Sequence, residues 1–148
     1  MVDKIYWSKE LDYPYSPSKE NFLIYKNNLL NGKTLLLGCT HKLINISDVQ
    51  LDIDPWYNAK TVITGNWIDN KDFYNNIIGD GVFNFTKDLT DKTLLMCSKY
   101  SKKLIIRSFK QKLPKMRVAN YFPKIDDFLI KPDNLIDFDN YCFLIWNF

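Results

Sequence analysis

Histidine is almost absent from this chain. His41 is the single one in 148 residues, so one copy can assemble neither a histidine dyad nor a multi-histidine metal site. Cysteine is nearly as scarce: Cys39, Cys97 and Cys142 are an odd number with neither metal-ligand nor redox spacing, which supports neither a disulfide framework nor a bound metal. Glycine is low too, at five, and no three of them fall in the spacing of a dinucleotide-binding loop. Strong charge of one sign is missing, because 20 basic against 17 acidic side chains leave only +3, an excess too small to imply nucleic acid. No apolar run reaches membrane-spanning length. The opening Met1-Val2-Asp3-Lys4-Ile5-Tyr6-Trp7 lacks the uninterrupted apolar core of a signal peptide. The expectation is a soluble, cytoplasmic protein with reduced thiols and no membrane partner.

Aromatic residues, at 16%, are what the chain has in excess. Such rings fill a small core and also stack on purines. The length fits one domain over residues 1–148, with 1–32 as an N-terminal extension and helix. In that region Ser16 is placed to cap a helix with Pro17 at its first position, running to about Asn28 with Phe22, Tyr25 and Leu29 on one face and Gly32 beyond its end.

Short apolar runs then recur at Thr34 to Leu37, Val49 to Ile53, Thr61 to Thr64, Asn76 to Ile78, Leu104 to Arg107 and Tyr141 to Trp146. Most lack strict polar alternation, the pattern of strands covered on both faces by helices. The reading is an α/β, Rossmann-like three-layer sandwich with a mostly parallel sheet of about six strands, the last joining antiparallel beside the Leu104 strand. About ten residues separate the first two strands, close to the lower limit for a helical crossover, so one-turn helices or plain loops are expected there. Thr86 to Ser101 is the best later helix. Between Pro114 and Asp139 the prolines leave only brief strands or turns, at Val118 to Phe122 and Phe128 to Ile130.

Four pieces fall at successive strand ends: Gly38-Cys39-Thr40, Asp52-Ile53-Asp54, Gly65-Asn66-Trp67 and Gly79-Asp80-Gly81. In an open α/β sheet the carboxyl ends converge on one crevice, so residues distant in sequence can meet a single ligand. A glycine lets the backbone approach that ligand, and a carboxylate can accept from ribose hydroxyls. The constellation points to a nucleoside cofactor.

In this order the pieces resemble class I S-adenosylmethionine-dependent methyltransferases, over about Ser16 to Phe109. The matching runs are Leu35-Leu36-Leu37-Gly38-Cys39-Thr40, Leu51-Asp52-Ile53-Asp54-Pro55, Val62-Ile63-Thr64-Gly65-Asn66-Trp67 and Ile77-Ile78-Gly79-Asp80-Gly81-Val82-Phe83-Asn84. The resemblance implies S-adenosylmethionine as cofactor and methyl transfer to an unidentified acceptor. It places Gly38, Cys39 and Thr40 against the methionine part, and Asp52 with neighbouring Ile53 at the ribose. Asn66 falls at the adenine edge, Trp67 near its face, and Asp80 beside the sulfonium as the catalytic candidate. The first turn departs from the family in carrying one glycine where several are usual.

Other readings stand beside these. Asp54 competes with Asp52 for the ribose, or shapes a turn before Pro55; Gly79-Asp80-Gly81 can be a tight turn alone; His41 reads as a loop residue, and Cys39 as a small buried one. The lysines between Lys99 and Lys115, with Arg117, read as solvated faces. Rival functions are a non-catalytic S-adenosylmethionine-binding or partner subunit, a lyase or hydrolase consuming the same cofactor, a nucleic-acid-binding domain using the lysine-rich region, and a dinucleotide cofactor in the same crevice, which the missing glycine spacing disfavours; a protein partner or homo-oligomer is a further possibility.

Overall fold

Strand β1 (Thr34–Leu37) is buried along its whole length, as expected of a leucine run inside a sheet. Leu35 and Leu37 face one side and Leu36 the other, feeding two separate cores. The computed structural model describes residues 8–116, 119 and 121–148. In it β1, β2 (Val49–Asp52), β3 (Val62–Thr64), β4 (Tyr74–Asp80) and β5 (Ser101–Phe109) pair in parallel. Strand β7 (Tyr141–Asn147) enters antiparallel beside β5, and β6 (Asn134–Asp137) pairs antiparallel with β7 at the edge. The seven-stranded order is β3-β2-β1-β4-β5-β7-β6.

Helix α1 (Lys19–Asn28) covers one face, with Tyr25 packed among Leu36, Ile78, Ile105 and Phe143. Its cap differs from the expectation. Ser18, not Ser16, accepts from the Asn21 backbone amide at 3.1 Å while its own amide donates to Asn21 Oδ1, a reciprocal box that starts the helix after Pro17. On the opposite face, Leu94 and Cys97 of α4 (Thr90–Tyr100) pack against Ile77, Leu104 and Ile106.

The connection from β1 to β2 holds a one-turn helix, α2 (His41–Ile44), and residues 53–61 between β2 and β3 form no helix. Both agree with the short spacing in sequence. Two further expectations are corrected. The helix placed over Thr86 to Ser101 is broken: α3 (Val82–Thr86) ends at Lys87, whose φ of 40° turns the chain through a short 3-10 segment into α4, and Ser101 already belongs to β5. The sheet also has one strand more than the expected six. Strand β6 was missed because Asn134-Leu135-Ile136-Asp137 is exposed at every position, so it shows neither burial periodicity nor a continuous apolar run. Phe128 to Ile130 forms no strand. Of the segment from Val118 to Phe122, Val118 and Asn120 lie outside the described residues, as do Met1 to Trp7 and Arg117; Ala119, Tyr121 and Phe122 are in no strand. Among the described residues no helix is long and apolar enough to cross a membrane.

Candidate functional site

The strand order runs outward in opposite directions from the β1–β4 pair, and in such sheets the crevice beyond the carboxyl ends at that point is where ligands bind. A cavity of about 480 Å³ opens there. The residues assigned to the cofactor from the sequence line it: Gly38, Cys39, Thr40, Asp52, Ile53, Asn66, Trp67 and Asp80, with Asp54 beside them.

The turn after β1 depends on Gly38, whose φ is +98°, a backbone region that side chains rarely adopt. Its amide donates to the Leu51 carbonyl at 2.8 Å, closing the turn onto β2. Trp67 Nε1 donates to the same carbonyl at 2.7 Å, so the indole is fixed across the mouth of that turn. Asn66 has a structural task that the sequence did not reveal: Oδ1 accepts from the Ile68 amide at 3.3 Å and caps the short 3-10 helix Trp67–Asp69. Asp52 Oδ1 accepts from the Asp54 amide at 3.1 Å, which folds the Asp52-Ile53-Asp54 bend.

Cys39 is buried, and burial followed by the Asp52 carboxylate pushes its thiol up to about 12, leaving it a neutral donor. Trp56, which the sequence reading passed over, donates from Nε1 to the Cys39 carbonyl at 2.8 Å. Its ring stacks on His41 with centroids 4.4 Å apart. His41 therefore sits in the first turn of α2 against an aromatic wall and is no simple loop residue; Nε2 lies 2.9 Å from the Ser8 carbonyl and ties the N-terminal segment to the cavity rim.

Asp80 ends β4, directly in register with Arg107 of β5. The guanidinium holds both carboxylate oxygens, Nε to Oδ1 at 2.6 Å and Nη2 to Oδ2 at 2.9 Å, in the bidentate geometry that suits a planar fork. Burial opposes the charge of Arg107, but the adjoining carboxylate outweighs it and holds the pKa above its ordinary value. Asn21 Oδ1 accepts from Nη1 at 3.2 Å, and the Phe109 and Tyr141 rings each lie 5.0 Å from the guanidinium carbon. Tyr25, fully buried, donates to the Gly79 carbonyl at 2.6 Å and accepts from the Arg107 amide at 3.2 Å, stitching the ends of β4 and β5 together. Arg107 went unnoticed in the sequence as a functional residue. The available signal was an arginine closing the apolar run Leu104-Ile105-Ile106, since a cation in a strand buried on both faces requires an anion nearby.

No family model matches the chain, and no curated protein matches it either. Solved structures do share its shape. TehB from Haemophilus influenzae superposes with a TM-score of 0.63 at 11% identity, covering 88% of this chain and 62% of that one. The magnesium protoporphyrin IX methyltransferase ChlM from Synechocystis PCC 6803, solved with bound S-adenosylmethionine, gives a TM-score of 0.55 at 16% identity over 84% of this chain and 73% of that one. The protein yhhF from Escherichia coli gives 0.53 at 9% identity over 93% and 90%. The chain thus spans less than two thirds of TehB, and at these identities the likeness is one of architecture. With the β3-β2-β1-β4-β5-β7-β6 order, the reversed β7 and these superpositions, the chain has the fold of class I S-adenosylmethionine-dependent methyltransferases.

Proposed function

We propose that the protein binds S-adenosylmethionine and transfers its methyl group to a small acceptor. The observation that carries this reading is the convergence of Gly38, Asp52, Asn66, Trp67 and Asp80 on one cavity at the switch point of the sheet. The side chains present fit such a nucleoside. Beyond Gly38, the Cβ direction is open, its nearest neighbour being Trp67 Cζ2 at 3.9 Å, so the backbone can be approached closely. Asp52 spends one lone pair on the Asp54 amide, and a carboxylate offers about four such sites, enough for the two ribose hydroxyls as well. Asn66 keeps its amide NH₂ beside the cap, a donor suited to an adenine ring nitrogen. Trp67, pinned by its own hydrogen bond, supplies a rigid face for the base.

When bound, S-adenosylmethionine would supply a methyl group carried on a positively charged sulfur, for transfer to the lone pair of an acceptor. The chain's contribution is positioning. Asp80, its two oxygens held by Arg107, is a fixed dipolar wall that orients acceptor and sulfonium. The three free, buried cysteines fit a reducing, cytoplasmic setting.

Calorimetry with S-adenosylmethionine tests the reading. Binding by the wild-type chain, lost or weakened at least tenfold in Asp52→Ala, is the expected result; unchanged affinity in the variant removes the ribose assignment, and no binding by the wild type removes the cofactor. A second reading, cofactor binding without turnover, draws on the pairing of both Asp80 oxygens with Arg107, which commits the one carboxylate on that wall among the described residues to an ion pair within the fold. Mass spectrometry of the nucleoside product separates the two, since transfer yields S-adenosylhomocysteine in step with a methylated acceptor.

A further inference from the structure

The cavity has two chemically different walls. The ends of β1, β2 and β3 make one of them, rich in hydrogen-bonding groups and bordered by His41; Lys9, the one lysine or arginine lining the cavity among the described residues, directly follows Ser8, whose carbonyl lies 2.9 Å from His41 Nε2. The other comes from the segments after β4 and β5 together with the N-terminal segment; its large side chains are Tyr15, Phe85, Leu89, Phe109 and Met116, and the polar groups among them are the uncharged hydroxyls of Ser16, Thr86 and Thr93. The one acidic lining group there among the described residues, Asp80, is neutralised by Arg107 at contact distance.

We infer that this second wall is the acceptor subsite and that it takes an uncharged small molecule with an apolar body. The inference rests on the cofactor reading and gives it a substrate class. Among the described residues the side chains there offer an anionic acceptor no compensating charge for the hydration it would surrender. Phe109 and Ala119, 6% and 2% exposed, lie too deep for the surface of a folded macromolecule. Phe85 and Leu89 are each 38% exposed, large apolar side chains kept at a cavity lip where folding alone does not bury them.

Three further observations mark this wall as built. Asn84 is fully buried and clamps it, Nδ2 donating to the Phe109 carbonyl at 3.0 Å and the Tyr121 carbonyl at 2.8 Å while Oδ1 accepts from the Phe109 amide at 2.9 Å. Such fixing lowers the ordering cost of binding. Gly81, at φ +69°, turns the chain sharply from β4 into α3 and so sets Phe85 over the cavity. Lys87, the one non-glycine residue with positive φ among the described residues, lies between Phe85 and Leu89 and holds both on the same lip.

Binding of 2-naphthol, measured by calorimetry on the protein alone and on protein saturated with S-adenosylhomocysteine, reads this subsite directly. We expect 2-naphthol to bind, and to bind about tenfold more weakly in Phe85→Ala and in Leu89→Asn, with S-adenosylhomocysteine affinity unchanged in both. Circular dichroism establishes that each variant is folded, and Leu89→Asn carries the test if Phe85→Ala is not. Failure of 2-naphthol to bind, or equal binding by wild type and folded variants, overturns the inference, as does tighter binding of naphthalene-2-sulfonate than of 2-naphthol. Failure of S-adenosylhomocysteine to bind would instead strike the cofactor reading, and the measurement on the protein alone keeps the two outcomes apart.

Discussion

Arg107 and Asp80 are register partners on adjacent strands, and their side chains close a doubly hydrogen-bonded ring at the floor of the cavity, with the arginine side chain 0% and the aspartate 7% exposed. The pair fixes the carboxylate in place through one strand rather than through a loop. It also removes the net charge that Asp80 would otherwise present.

Loss of the cation is therefore expected to be severe. Arg107→Leu leaves Asp80 buried without a partner and should lower the unfolding free energy by about 3–5 kcal/mol, read from the urea midpoint. Arg107→Leu combined with Asp80→Leu should recover a large part of that loss, because the unpaired charge is gone. A double variant no more stable than the single one would show that the loss arises from packing and not from the stranded carboxylate.

Gly38 and Gly79 resist substitution for different reasons. At Gly38 an added Cβ meets nothing nearer than 3.9 Å, but φ is +98°, so Gly38→Ala should cost about 1–3 kcal/mol through backbone strain alone. Gly79 has no such backbone; a Cβ there would overlap Val82 Cγ2, with Ile106 Cδ1 at 3.3 Å. Gly79→Ala should consequently be rescued in part by Val82→Ala, measured by thermal unfolding, whereas Gly38→Ala should not respond to a smaller side chain at Trp67.

Alkaline pH should weaken the fold. The Cys39 thiol stands at about 12 and the Cys142 thiol at about 11 against an ordinary 9.0, burial being the leading cause for both. A thiol that ionises later in the folded than in the unfolded chain leaves stability intact below pH 9 and drains it as pH rises through these values, because the unfolded state then holds fewer protons. The urea midpoint should fall between pH 8 and pH 10.5, and alkylation of the folded protein at pH 8 should be slow beside that of the unfolded chain. A midpoint flat across this range would contradict the burial of these thiols.

The central parallel strands of this chain were legible because being covered on both faces leaves unbroken apolar runs, as in Leu35-Leu36-Leu37 and Leu104-Ile105-Ile106. Strand β6 carries no such mark, being exposed throughout and held only by pairing with β7. The break at Lys87 was equally invisible, since it is made by a backbone angle in a residue with no special freedom to adopt it. At the cavity, turn residues could be placed by knowing where strands end. Side chains arriving from elsewhere could not: Trp56 reaches Cys39 from 17 residues away and Asn21 reaches Arg107 from 86, contacts fixed by packing of the finished fold. The alternation of polar and apolar walls is likewise a product of assembly, because Tyr15, Phe85 and Met116 belong to separate segments with no shared pattern.

The lean links from β1 to β3 have a dynamic consequence. With a single helical turn between the first two strands and none between β2 and β3, that flank of the sheet has little apolar cover, and Ile63 on the edge is 45% exposed. Amide protons of β2 and β3 should then exchange with solvent through local openings well below the global unfolding energy, while those of β4, β5 and β7 wait for complete unfolding. A ligand resting on Asp52 and Trp67 would act as the missing brace, slowing exchange on the flank it touches far more than in the rest of the sheet.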